Sequence, residues 1–270
     1  YYRDYNGIAA AFRYIPSNVP SLDDLDLPPV LKKIASLRFG LVLVTGPTGS
    51  GKTTTLAGII DHINQNRNAH IITIEDPVEF MHYNKNSLID HREIGVQATS
   101  FADAVRAALR EDPDVIMVGE IRDLDTMQQA LRAAETGVLV LSSLHTNSAA
   151  KTTDRIINIF PGEVQDQIRS MVADSLQAVV AQQLLPRSDI PGRCAAVEVM
   201  LAAPGLSSLI RENKTFNIPT FIHMNAEEGM QTMDQALRDL YQQGLITLEM
   251  AMNRAHNPAE LEKMLAGVGS

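Results

Sequence analysis

The stretch Gly46-Pro47-Thr48-Gly49-Ser50-Gly51-Lys52-Thr53 decides the fold. It fits the pattern G-x-x-x-x-G-K-S/T, a phosphate-binding loop. Leu41-Val42-Leu43-Val44, just before it, is a short apolar, β-rich run, as expected of a buried strand. Thr54-Thr55-Leu56-Ala57-Gly58-Ile59-Ile60, just after it, reads as the helix that follows. The glycines let the backbone turn its N–H groups inward, and that nest, with the helix N-terminus behind it, binds phosphate oxygens. Gly46, Pro47, Thr48, Gly49, Ser50, Gly51, Lys52, Thr53 and Thr54 are therefore the candidate nucleotide-binding residues. Lys52 would reach the β- and γ-phosphates, and the Thr53 hydroxyl would hold Mg²⁺. A glycine-rich surface turn would leave Lys52 without a purpose.

Working downstream, three more apolar runs end in polar residues. Ile71-Ile72-Thr73-Ile74 runs into Glu75-Asp76-Pro77-Val78-Glu79. Val115-Ile116-Met117-Val118 is followed by Gly119-Glu120, and an apolar strand ending in an acid downstream of a phosphate loop is the Walker B arrangement. Val138-Leu139-Val140-Leu141 leads to Ser142-Ser143-Leu144-His145-Thr146. In open α/β sheets, ligands sit beyond the carboxyl ends of the strands. Glu79, Glu120 and His145 thus become candidates to face a bound nucleotide, the acids to orient water or hold a metal's water shell. His145 is read as a sensor of the γ-phosphate or of a neighbouring subunit, and a zinc role is set aside because no other histidine shows ligand spacing.

Helical patterns lie between these runs. Phe101, Ala104, Val105, Ala108 and Leu109 recur at helical spacing, with Pro113 beyond them. Leu124, Met127, Leu131 and Ala134 mark a second helix, with Gly137 as its stop. Strand–helix alternation of this kind implies an α/β fold, a mostly parallel sheet with helices on both faces. Residues 81–100 read as a polar hairpin or excursion. Val164, Ile168, Met171, Val172, Leu176 and Val179 predict one long helix, and Arg193 to Met200 predicts one more strand. The rest is helical: stripes at Leu206, Leu209 and Ile210, then at Met233, Ala236, Leu237, Leu240 and Tyr241, then a helix start at Asn257-Pro258-Ala259-Glu260. At the other end, Asn6-Gly7 is a hairpin-type turn between two short strands within residues 1–15, and 16–28 is a linker by composition. Two strands do not stand alone in water, so they read as the end of a sheet domain.

Bulk properties narrow the classes. The 270 residues are 45% hydrophobic and 20% charged, ordinary for a globular protein with a substantial core. A net charge of −9 and the absence of tryptophan argue against a nucleic-acid-dependent motor, which would show a basic, aromatic-bearing loop. A single cysteine, Cys194, excludes an internal disulfide and a multi-cysteine metal site, and it suits a reducing compartment. No run approaches the roughly 18 apolar residues of a membrane span, so any membrane role would be peripheral or through a partner.

With these residues in hand, the chain resembles the secretion-type ATPases of bacterial type IV pili, most of all their retraction, or twitching-motility, branch. Four motifs appear in family order: the phosphate loop, the "Asp box" Ile72–Glu79, the atypical Walker B segment Asp114–Asp123, and the "His box" from Leu144-His145-Thr146 to Asp154-Arg155. Assembly and type II secretion motors of this kind usually carry a Cys-x-x-Cys pair, which this chain lacks. Retraction motors carry a helix of the pattern Ala-Ile-Arg-Asn-Leu-Ile-Arg-Glu; in Gly205–Glu212 the second half matches and the first half departs. An accessory retraction ATPase or a secretion-system traffic ATPase are the neighbouring alternatives.

The resemblance implies a RecA-like ATPase core over residues 29–200, a C-terminal helical region over 201–270, and, in 1–15, the end of an N-terminal PAS-like domain. It implies ATP with Mg²⁺, the metal held through Thr53 and Glu120. It implies a homo-oligomer, a hexameric ring, acting in the cytoplasm on an inner-membrane pilus platform protein and so peripheral to that membrane through a partner. Pattern alone does not separate base from metal-side acid between Glu79 and Glu120; Glu79 is taken as base. Arg155 is taken as an arginine that neutralises transition-state charge, with Arg3 and Arg13 as candidates to act on the next subunit's nucleotide.

Overall fold

A computed structural model describes residues 1–12 and 18–267 of the chain. Arg13 and most of the expected second strand's end, with the start of the linker, lie outside the described residues. The chain opens with an antiparallel pair, β1 (Tyr2–Asp4) and β2 (Gly7–Ala9), joined by the Asn6-Gly7 turn. Tyr1, Tyr2, Tyr5, Ile8 and Phe12 around it are exposed.

The body follows in the order α1 (Val30–Ala35), β3 (Gly40–Thr45), α2 (Lys52–Asn66), β4 (His70–Glu75), β5 (Leu88–Glu93), α3 (Phe101–Ala108), β6 (Val115–Val118), α4 (Leu124–Glu135) and β7 (Leu139–Leu144). Then come α5 (Ala149–Asn158), α6 (Gln165–Ser175), β8 (Leu176–Pro186) and β9 (Arg193–Leu201). These strands form one seven-stranded sheet in the order β5-β4-β6-β7-β3-β8-β9, parallel throughout except for the antiparallel β8–β9 pair. The expected mostly parallel α/β sheet is the one observed.

Composition explains the layering. Strands β3, β6 and β7 are buried along their whole length, which is what a parallel strand covered by helices on both faces requires. Each fully buried Ile, Leu or Val contributes about 1.5–3 kcal/mol relative to an exposed one, so the centre of the sheet supplies much of the fold's stabilisation. Helices start where strands have just ended because a capping side chain is waiting. Ser100 accepts from the backbone of Asp103, Asp123 from that of Thr126, and Ser148 from that of Lys151.

Two expectations are corrected. The long helix across 164–179 ends at Ser175, and Leu176 begins β8, which pairs with β3 on one side and β9 on the other. The start of β8 is covered on both faces and carries the apolar run Ala178-Val179-Val180-Ala181, and a short run of this kind satisfies helical spacing by accident. Residues 81–100, expected as a polar hairpin or excursion, form no hairpin among the described strands but contain β5, a parallel edge strand in register with β4. Its sequence Leu-Ile-Asp-His-Arg-Glu buries Ile89 alone among its apolar residues, so it carries no hydrophobic pattern to read.

The chain closes with α7 (Pro204–Arg211), α8 (Ile218–Met224), α9 (Met233–Gln242), α10 (Leu248–Arg254) and α11 (Pro258–Leu265). A second, small core joins Met233, Leu237, Ala251 and Leu261 of these helices to Leu185 and Ala196 of the β8–β9 pair.

Candidate active site

The parallel strands bring their carboxyl ends to one edge. There the sheet order matters. β7 lies between β3, which feeds the phosphate loop, and β6, which feeds Glu120. Strands two places apart are separated by about 10 Å, so the loop and the acid face each other across a gap with His145, at the end of β7, between them. A cleft of ≈ 560 Å³ opens there. It is lined by Thr48, Gly49, Gly51, Lys52, Thr53 and Thr54 from the loop and the start of α2, with Glu79, Glu120 and His145 opposite.

The phosphate loop is shaped from behind. Gly46, Gly49 and Gly51 all have positive φ. At Gly46 a side chain would also run into the Gln182 carbonyl oxygen and the Ser50 hydroxyl. Gln182, buried in β8, donates from Nε2 to the Ser50 carbonyl at 2.5 Å and accepts from the Thr55 hydroxyl at 2.9 Å. Gly46, Pro47 and Ser50 do not line the cleft. The Gly46 and Pro47 carbonyls instead accept from Lys52 Nζ at 3.0 and 3.1 Å. Burial lowers the Lys52 pKa, and the carboxylates of Glu120 and Glu79 oppose that without cancelling it.

Glu120 is engaged through both carboxylate oxygens. One oxygen lies 2.7 Å from His145 Nε2, and the other accepts from Arg122 at 2.9 Å. Burial alone would raise its pKa; Arg122 and His145 together outweigh that and lower it. Glu79 follows the Asp-box turn, and its backbone N–H donates to Glu75 Oε2 at 3.3 Å. Glu75 is buried and also lines the cleft.

Arg155 is not brought to this cleft. It sits on α5 at an exposed position and does not line the cavity of its own chain. Arg106 of α3 pairs with Asp103 at 2.8 Å. Four contributors escape a reading by motif: Gln182, Ser143, Arg193 and Arg122, the last present in the Walker B segment but not singled out. For Gln182 the available signal is weak, a Gln182-Gln183 pair set between the apolar runs Ala178–Ala181 and Leu184-Leu185. A second cavity, ≈ 750 Å³, adjoins the first through Gly51, Thr54, Leu184 and Arg193 and runs between residues 24–27 and the β8–β9 turn.

Comparison with known proteins agrees with this architecture. Residues 21–253 match the family model of type II/IV secretion system proteins. The twitching motility protein of Neisseria gonorrhoeae is 53% identical over 251 residues, 93% of this chain and 67% of that protein. The type IV pilus retraction ATPase PilT of Pseudomonas aeruginosa is 48% identical over 252 residues, 93% of this chain and 73% of that protein. The crystal structure of the pilus retraction motor PilT with bound ADP superposes with a TM-score of 0.88 at 49% identity, covering 93% of this chain and 71% of that one. Fold and phosphate loop thus define an ATPase of the P-loop class. The chain belongs to the type II/IV secretion system protein family, and the likeness to its pilus-retraction branch read from the motifs is borne out.

Proposed function

We propose that the chain is the ATP-hydrolysing motor of type IV pilus retraction. The observation that carries this is the convergence of Lys52, Glu79, Glu120 and His145 on one cleft in a chain so similar to retraction ATPases. The phosphates lie against the loop N–H groups, and the base and ribose extend into the adjoining cavity beside Arg193. On nucleotide entry, Lys52 exchanges the Gly46 and Pro47 carbonyls for phosphate oxygens.

Thr53 and Glu120, both lining the cleft, offer hard oxygen donors, and no group of three or more His, Cys, Asp or Glu side chains that could hold a metal occurs among the described residues. That donor set suits Mg²⁺, which keeps several waters and shares phosphate oxygens. Held there, the ion would neutralise charge on the β- and γ-phosphates. Glu79 acts as the base that orients the attacking water, a role that its position across from Lys52 supports. His145 reads the state of Glu120 through their contact and passes it toward α5.

The working form is a homohexameric ring in the cytoplasm, in which closure around ATP and release after hydrolysis rotate domains against one another. No helix among the described residues is long and apolar enough to cross a membrane, so coupling to the pilus would run through an inner-membrane platform protein. The test is Lys52→Ala in the natural full-length protein. ATP turnover drops below detection while circular dichroism and the unfolding midpoint stay close to the parent. Turnover at the parent rate would remove this cleft as the site of hydrolysis.

A further inference from the structure

The loop that carries Glu79 leaves β4 at Glu75 and returns through His82, and both ends are held by one imidazole. His91 of β5 lies in register beside Thr73 of β4. Its Nδ1 is 2.8 Å from Thr73 Oγ1 and 3.8 Å from Glu75 Oε1. Its Nε2 is 3.1 Å from the backbone nitrogen of His82 and 3.1 Å from the His82 carbonyl oxygen. Glu75, in turn, takes the Glu79 N–H, and Glu93, two residues beyond His91, takes the Val78 N–H at 3.1 Å.

One ring nitrogen cannot accept from an N–H and donate to a carbonyl at the same time. With its Nε2 bare, His91 holds the His82 N–H. As the imidazolium it donates to the His82 carbonyl, and its Nδ1–H faces Thr73 and the Glu75 carboxylate. Glu75 Oε1 and His82 Nδ1 are buried and without a hydrogen-bond partner among the described residues, so the cluster has a carboxylate oxygen unsatisfied unless a proton donor turns toward it.

We propose that His91 is a positioning residue for the reaction, its imidazolium fixing Glu75 and His82 so that Glu79 is presented to the γ-phosphate. This rests on the hydrolysis reading given above. The groups facing His91 are Thr73 and Glu75 from β4, Asp90 on its own strand and the His82 ring stacked on it, with Asp61 of α2 and Lys85 acting on His82. Burial pulls the His91 pKa down, and Glu75, the His82 carbonyl and Asp90 more than reverse it, so it is raised above the ordinary imidazole value. Burial and the neighbouring His91 charge push His82 down to about 4, which leaves the proton of the pair on His91.

The experiment is a profile of ATP turnover against pH, with saturating nucleotide, for the natural full-length protein and three variants. A group of raised pKa keeps its proton to higher pH than an ordinary imidazole and loses it as pH climbs, so turnover of the parent falls at least about fivefold on the alkaline side of the ordinary imidazole value of about 6.5. His91→Gln, which can hydrogen-bond but not titrate, lowers turnover less than about threefold near pH 6.5 and abolishes that alkaline fall. Glu75→Gln removes the charge that retains the proton and moves the fall to lower pH. His91→Ala has a flat profile, with kcat about tenfold below the parent near pH 6.5 and closer to it at alkaline pH, while KM for ATP changes less than about threefold, as expected when the chemistry rather than binding is misplaced. A flat parent profile, or an alkaline fall that persists unchanged in His91→Gln, overturns the proposal. A parent that binds ATP without turnover at any pH removes the hydrolysis reading and this inference with it.

Discussion

At Glu120 one carboxylate is held by a guanidinium and an imidazole, and that sets what each acid can do. Held by Arg122 and His145, its pKa lowered, it stays ionised through the physiological range and is a poor acceptor for a proton. That disposes it to charge stabilisation, in keeping with the proposal that Glu79 is the base. Glu79→Gln and Glu120→Gln should each cut turnover at least about tenfold, measured with saturating ATP; normal turnover in either removes that residue from the chemistry. Because the folded pKa of Glu120 is depressed, its contribution is present above the ordinary carboxylate range and lost as pH falls through the lowered value. His82 adds an acid-side cost of its own. Buried and neutral, with a pKa of about 4, it stays uncharged while the unfolded chain takes up a proton below the ordinary imidazole value. Stability should therefore fall by as much as about 3 kcal/mol between pH 6.5 and 4. Urea titrations at the two ends of that range measure it, and His82→Phe should shrink the difference. The three acid and histidine positions were legible in the sequence because each follows an apolar run. The Glu75–His91–His82 cluster was not, since only the sheet register sets His91 beside Thr73.

At the scale of elements, β8 decides whether the phosphate loop has a shape before nucleotide arrives. It lies beside β3, and Gln182 spans from the Ser50 carbonyl to the Thr55 hydroxyl, so loop and helix start are tied to a central strand. Gln182→Leu keeps volume and removes both bonds. Leaving two buried groups unpaired costs on the order of 2–4 kcal/mol, seen as a lower urea midpoint, and KM for ATP should rise by more than kcat falls. Gly46→Ala should be worse for turnover, since its side chain meets the Gln182 carbonyl and the loop must move to admit it. Here the sequence was half readable. Strands β3, β4, β6 and β7 are bounded by polar or glycine-containing turns, and each announces its ends. β8 follows α6 with no loop between Ser175 and Leu176, so the change from helix to strand leaves no punctuation. Which partner it would pair with is a long-range fact, and so was the role of Gln182.

For the whole molecule, Arg155 poses the sharpest question. It sits on α5 at an exposed position and does not line its own cleft, so a part in the reaction is best served by a second chain. A head-to-tail ring supplies one, because each subunit then shows the next a different face from the one it uses itself. An arginine delivered this way is worth on the order of 10³–10⁵ in rate. Arg155→Ala should then abolish turnover with nucleotide binding intact, whereas Lys52→Ala damages the cleft itself. Mixing the two inactive proteins and allowing subunits to exchange tests the arrangement. A Lys52→Ala subunit still offers Arg155, and an Arg155→Ala subunit still offers Lys52, so equal mixing should restore about a quarter of the clefts at random assembly. Recovery of turnover in the mixture, alongside a six-subunit particle mass with bound nucleotide, fits an arginine acting across the interface. A mixture as inactive as its components, at a particle mass showing exchange, rules out an Arg155 that acts across the interface and returns the search for such a charge to Arg193, which lines the cleft of its own chain.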